Sequence, residues 1–190
     1  MINEKSDLRD FLDYEKAKYG ISGITSFAKY LAGNETEVIW MFQRRLRITE
    51  YHKNVRHKVR YYINLLLLNY MRNKYGLHIS LNVFDKGLRI MHLGSILTND
   101  NVRVGKNCYV HINTAFVAQG VKNETPVLGN DIIVGVGATI LGGVYIADGI
   151  AIGANAVVNK TFLEENIAVA GIPAKKVSES GSLRWNQKGE

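Results

Sequence analysis

The sequence predicts a mainly β fold: a parallel β-helix of hexapeptide repeats preceded by an α-helical N-terminal region. Three observations carry this reading. Helical spacing of apolar residues is confined to the first 75 residues. Fifteen of the 18 glycines follow residue 75. A six-residue aliphatic period then replaces the helical one. The expected division is a helical region at 1–75, a β-helix domain at 76–177 and a C-terminal tail at 178–190.

In the first region, Ser6 is placed to cap a helix running to about Tyr19, with Leu8, Phe11, Leu12 and Tyr14 near one side. Gly20 and Gly23 break it. Asn34-Glu35-Thr36-Glu37 has the form of a capping box, with Asn34 as cap and Glu37 reaching back. The helix that follows holds Val38, Met41, Phe42 and Leu46 at helical spacing. Another long helix is expected from about Asn54 to Lys74, a stretch without Gly or Pro and rich in Leu and Tyr. These stripes read as core or subunit interface.

In the second region, aliphatic residues recur at Leu128, Val134, Ile140, Ile146, Ile152 and Val158. Ile132, Ala138, Val144, Ile150 and Ala156 follow at a fixed offset, and Gly129, Gly135 and Gly153 stand directly after three of the aliphatics. Backward, Val104, Val110 and Phe116 keep the period. The segment 117–127, with Gln119, Gly120, Lys122, Asn123 and Pro126, reads as a loop thrown out from the repeat. Short strands turning around a triangular core need one inward aliphatic per flat face and a small residue near each corner. Glycine there is expected to supply backbone angles that a Cβ penalises. Such coils stack to bury a continuous core.

Composition excludes other classes. Hydrophobic residues are 46% and charged residues 22% of 190, an ordinary globular balance. Cys108 is the only cysteine, which excludes a disulfide scaffold and suits a reducing compartment. The start lacks the pattern of a signal peptide, and the apolar run 61–71 is far short of a bilayer span, so a cytoplasmic location is expected. The net charge of +7 comes almost wholly from one stretch, 44–60, which holds Arg44, Arg45, Arg47, Lys53, Arg56, Lys58 and Arg60 against Glu50. It reads either as a solvated helix face or as a docking surface for an anionic substrate or peripheral lipid. No nucleic-acid module accompanies it.

The repeat resembles the left-handed β-helix acyltransferase superfamily, and the expected handedness comes from that resemblance. Ala170-Gly171-Ile172-Pro173-Ala174-Lys175 resembles the segment that closes the β-helix in acetyl-CoA-dependent members. Gly87-Leu88-Arg89-Ile90-Met91-His92-Leu93-Gly94 resembles the catalytic-histidine segment of serine acetyltransferases. Leu81-Asn82-Val83-Phe84 is similar to a run in the serine-acetyltransferase-like enzymes of capsule and exopolysaccharide clusters.

The resemblance implies acetyl transfer from acetyl-CoA to a hydroxyl, with no metal expected. Histidine suits the general base because it titrates near neutrality, and backbone N–H groups of the Gly-rich coils suit the oxyanion. His92 is the expected base and His111 the second choice, with His78 behind them. His52 and His57 belong to the basic helical region, and Cys108 reads as packing. Three histidines at His78, His92 and His111 with no close pair disfavour a zinc carbonic anhydrase. By resemblance, coenzyme A would contact Ala138, Ala154, Asn159, Lys160 and Lys175 in a groove between chains of a homotrimer. The helices offer a means of pairing two trimers.

The chain departs from serine acetyltransferases where they carry charge. Met91 stands in place of an Asp before the histidine, the position near His78 lacks an acid, and Glu124-Thr125-Pro126 replaces an Arg-His-Pro run. On that ground the expected acceptor is an uncharged sugar hydroxyl of a polysaccharide precursor, with L-serine as the alternative. The orienting partner of His92 is open among a backbone carbonyl, Asp85 and Asp100.

Overall fold

The computed structural model describes residues 1–21, 26–120 and 123–183. Gly23, Lys122 and positions 184–190 of the expected tail lie outside the described residues. Helices α1 (Lys5–Lys18), α2 (Ser26–Leu31), α3 (Glu35–Asn54) and α4 (Lys58–Tyr75) come first. Strands then form three faces of a prism. The five-strand face holds β1 (Leu77–His78), β3 (Ile96–Thr98), β6 (Thr114–Val117), β9 (Thr139–Leu141) and β12 (Val157–Val158). The three-strand face holds β4 (Arg103–Val104), β7 (Val127–Leu128) and β10 (Tyr145–Ile146). The six-strand face holds β2 (Arg89–Ile90), β5 (Tyr109–Val110), β8 (Ile133–Val134), β11 (Ala151–Ile152), β13 (Ala168–Ala170) and β14 (Lys175–Ser178). Neighbouring strands are parallel, except that β14 runs antiparallel to β13.

The inward residues are those of the six-residue period. Val110, Val134, Ile140, Ile146, Val158, Ile132, Ile150 and Ala156 are fully buried, and Phe116 packs edge-on against Phe84 with centroids 5.6 Å apart. Regular coils are eighteen residues long: Tyr145 pairs with Val127 and Ala151 with Ile133. Ala115 pairs with Thr139 and Arg103 with Val127, twenty-four residues apart. The excursion after β6 therefore adds one period to a coil that turns in step with its neighbours. Gln119 and Glu124 bridge at its base and pack on Gly142 and Gly143.

The glycines after the aliphatics serve a purpose different from the expected one. Gly129, Gly135 and Gly153 do not have left-handed backbones. A Cβ on Gly135 would lie 2.7 Å from the Ala154 nitrogen, and one on Gly153 would lie 2.8 Å from Ala170 Cβ. Close approach of the next coil excludes the side chain there. The left-handed positions are shared between Asn107, Asn113, Asp131, Asn155 and Asn166 (φ 53–60°), residue types that tolerate this region, and other glycines, among them Gly87, Gly137, Gly142 and Gly149 (φ 71–94°).

Two helix starts differ from expectation. The cap of α1 is Glu4 rather than Ser6, and Asp7 Oδ2 accepts the Glu4 N–H at 3.0 Å. Asn34 caps α3 by accepting the Glu37 N–H at 3.3 Å, but Glu37 accepts the Ser26 hydroxyl at 2.5 Å instead of reaching back. The Asn34 N–H is already donated to the Lys29 carbonyl. Helix α3 extends through Asn54, and the chain turns at Arg56 (φ 58°) before α4.

The basic stretch is not one surface. Arg47 is buried, ion-paired to Glu15 and Glu50, and donates to the Phe84 and Asp85 carbonyls. On α4, Leu68 faces the core, whereas Val59, Tyr62, Ile63, Leu66 and Tyr70 are exposed. Among the described residues, no helix is long and apolar enough to cross a membrane.

Candidate functional site

His92 follows β2, at the corner where the chain passes from the six-strand face to the five-strand face. Its side chain is 57% exposed. The first residue of α3 meets it: Glu35 Oε2 lies 3.3 Å from His92 Nδ1, and Glu35 Oε1 accepts the Leu93 N–H at 2.9 Å. The Leu93 bond is the main reason that the Glu35 carboxyl is held below its ordinary value of 4.5, and His92 adds to the effect. Asp85 accepts the N–H of Lys86, and Asp100 lines a cleft with Arg72 and Arg103. The carboxylate that faces His92 is on α3 rather than at either of these positions.

His111 stands one coil further on, its ring centroid 6.4 Å from that of His92 and tilted by 41°. Burial, reinforced by His92, pushes its pKa below 6.5. The ladder of the six-strand face continues past the strand ends, with N–H bonds from Met91 to Val110, His111 to Val134, Gly135 to Ile152 and Gly153 to Val169. Met91, His111, Gly135, Gly153 and Ala170 therefore form one row. Below His111 this row shrinks to hydrogens and a methyl at Gly135, Gly153 and Ala170, whereas His92 stands in the adjacent row, which continues with Ile112, the exposed Val136 and Ala154. The N–H groups of Gly135 and Gly153 are spent on the ladder at 2.8 Å each, so these glycines are not the expected oxyanion donors.

The expected coenzyme contacts divide. Ala154 is exposed beside Gly153 on the His92 corner, and Lys175, exposed on β14, pairs with Ala170 in the same row. Asn159 and Lys160 are exposed after β12, on the corner between the five- and three-strand faces, with Lys160 Nζ 5.3 Å from the Phe162 ring centroid. Ala138 corrects the expectation. It is fully buried, its N–H is donated to Gly135 and its carbonyl accepts from Ala115, so it presents nothing to a ligand.

The other candidates lie apart from His92. His78 is exposed on β1, and His52 and His57 adjoin each other on the helices with Nδ1 atoms 3.2 Å apart. Among the described residues, no group of three or more His, Cys, Asp or Glu is arranged to hold a metal ion. Cys108 is fully buried, and burial pushes its thiol pKa up. A cleft of about 310 Å³ lies on the three-strand side, lined by Arg47, Glu50, Phe84, Asp85 and Arg103, and does not include His92.

No family model matches the chain. A serine acetyltransferase of Synechococcus elongatus is 26% identical over 145 residues, 75% of this chain and 53% of that protein. The chain spans about half the length of the curated relatives it matches. Soybean serine acetyltransferase complexed with serine superposes with a TM-score of 0.73 at 20% identity, covering 91% of this chain and 70% of that one. Serine acetyltransferase from Brucella abortus in complex with coenzyme A superposes with a TM-score of 0.63 at 20% identity, covering 93% and 68%. The fold is the left-handed parallel β-helix of these structures. These matches overturn the expected sugar acceptor, because the matched proteins are named for serine.

Proposed function

We propose that this chain is an acetyl-CoA-dependent serine O-acetyltransferase with His92 as general base. One observation carries the reading: an exposed imidazole, faced at Nδ1 by a carboxylate, stands beside a row that carries nothing larger than a methyl below His111. The relatives named serine acetyltransferase support the acceptor, and the coenzyme A and serine complexes of the structural neighbours support the two substrates.

In this mechanism His92 Nε2 takes the proton of the serine hydroxyl as its oxygen attacks the thioester carbonyl. Collapse of the tetrahedral oxyanion breaks the C–S bond, and the leaving thiolate takes the proton from the imidazolium. The products are O-acetylserine and coenzyme A. The pantetheine arm lies along the Gly135–Gly153 track past Ala154, with Lys175 near its far end. Asn159 and Lys160 stand on a different corner, so they reach the same ligand only from a neighbouring prism. We therefore assign the working enzyme as a homotrimer. A reducing cytoplasm suits the single thiol.

The test is thiol release from acetyl-CoA with L-serine. The His92→Ala variant should lose on the order of 100-fold or more in kcat while retaining coenzyme A binding. Wild-type turnover in that variant would move the base to His111. A wild-type protein inert toward L-serine would overturn the acceptor.

A further inference from the structure

We infer that Glu35 is the positioning residue for His92: α3 lends the carboxylate that holds the imidazole with Nδ1 protonated and Nε2 bare. The inference rests on the reading of His92 as the base. It assigns a role to a residue of the helical region, fifty-seven positions upstream.

The geometry is a two-point clamp. One carboxylate oxygen faces the ring nitrogen at 3.3 Å, and the other accepts the backbone N–H of the next residue at 2.9 Å. The carboxylate cannot swing away from the ring without giving up the Leu93 bond. Its own base is fixed, because Asn34 caps α3 through the Glu37 N–H. Position in the first helical turn favours its negative charge. Its lowered pKa leaves it ionised at neutrality, and an ionised carboxylate can only accept. The proton must therefore sit on Nδ1 of His92, and Nε2 is left free to receive one. His111 is the other titratable group facing the ring, and burial favours its neutral form, so it does not compete as a cation for Glu35. The ring is more than half exposed, so packing alone does not hold it.

The test compares Glu35→Gln, Glu35→Asp and wild type in three readouts: kcat, KM for acetyl-CoA, and the imidazole tautomer of His92 by 15N NMR, assigned with His92→Ala. Glu35→Gln keeps the side-chain shape and an acceptor for Leu93, but its amide can donate to Nδ1. It should lower kcat by on the order of 10- to 100-fold, leave KM within about twofold, and shift His92 toward the Nε2–H tautomer. Glu35→Asp should recover part of kcat and of the wild-type tautomer. A folded Glu35→Gln protein with the wild-type tautomer and kcat within twofold would overturn the inference. Should Glu35→Gln fail to fold, wild type and Glu35→Asp decide: an Nε2–H tautomer in wild type overturns it. Should wild type be inert toward serine, a tautomer shift in Glu35→Gln still supports the clamp while the acceptor assignment falls.

Discussion

The guanidinium of Arg47 lies 2.6 Å from Glu15 Oε1, and both side chains are shut off from solvent. A second bond runs from Arg47 Nε to Glu15 Oε2 at 3.1 Å, Glu50 takes a third, and the carbonyls of Phe84 and Asp85 take two more. Glu15 Oε1 also accepts the N–H of Gly87. One arginine thus joins α1, α3 and the first coil, and through them the helix that carries Glu35 to the coil that carries His92.

Arg47→Ala should therefore be among the most damaging substitutions in the chain. It would strand two buried carboxylates at a cost of about 3–5 kcal/mol. Urea unfolding followed by circular dichroism measures this. A loss below about 1 kcal/mol, the range of surface pairs, would show that the cluster is not the tie described here.

Acid should loosen the fold. Burial pushes His111 below 6.5, with His92 adding, and burial does the same to His52, with His57 adding. The unfolded chain binds these protons more readily than the folded one. Their stabilisation is full above the unfolded value and is lost as the pH falls from about 6.5 through the lower folded values. Glu35 acts further down: its contribution is present above about 4.5 and is lost as the pH falls through its depressed folded value. The melting temperature should fall from about pH 7 to pH 4, and His111→Gln should flatten the upper part of the fall. A melting temperature that rises on acidification would contradict this.

Gly135→Ala tests the close approach of coils. The added methyl would meet the Ala154 nitrogen at 2.7 Å and the Ile152 carbonyl oxygen at 2.9 Å, and both are backbone atoms of the next coil. Relief requires the coils to part, for about 1–3 kcal/mol. Because Gly135 lies on the track below His111, the variant should also raise KM for acetyl-CoA more than it lowers kcat. Wild-type stability and KM together would remove both the steric account and the track.

What was legible in the sequence was what repeats. Val134, Ile140, Ile146 and Ile152 face inward because each solves the same local problem, so their period exposes the prism without knowledge of any contact. His92 was legible through its neighbours in the chain, whereas Glu35 was not. Its pairing joins two elements 57 residues apart, and within α3 it looks like any acid in a first helical turn. Arg47 was hidden in the same way: it and its six basic companions read as one charged run, yet helix geometry turns this side chain inward onto Glu15. Gly137, Gly142 and Gly149 do supply left-handed angles, but Gly129, Gly135 and Gly153 answer to the distance to the next coil, which a local reading does not give. Ala138 followed a family resemblance that its burial does not support.

Strand β14 reverses direction against β13, and the preceding turn fastens to β12 through the Val157 N–H on Gly171 and the Ala174 N–H on Val157. A stack of parallel rungs would otherwise present a raw lower rim ready to template another chain. Here the polypeptide hems that rim itself, while α4 sits against β1 at the opposite end. The last rung on the six-strand face is thereby an antiparallel strand, and the turn before it covers β12.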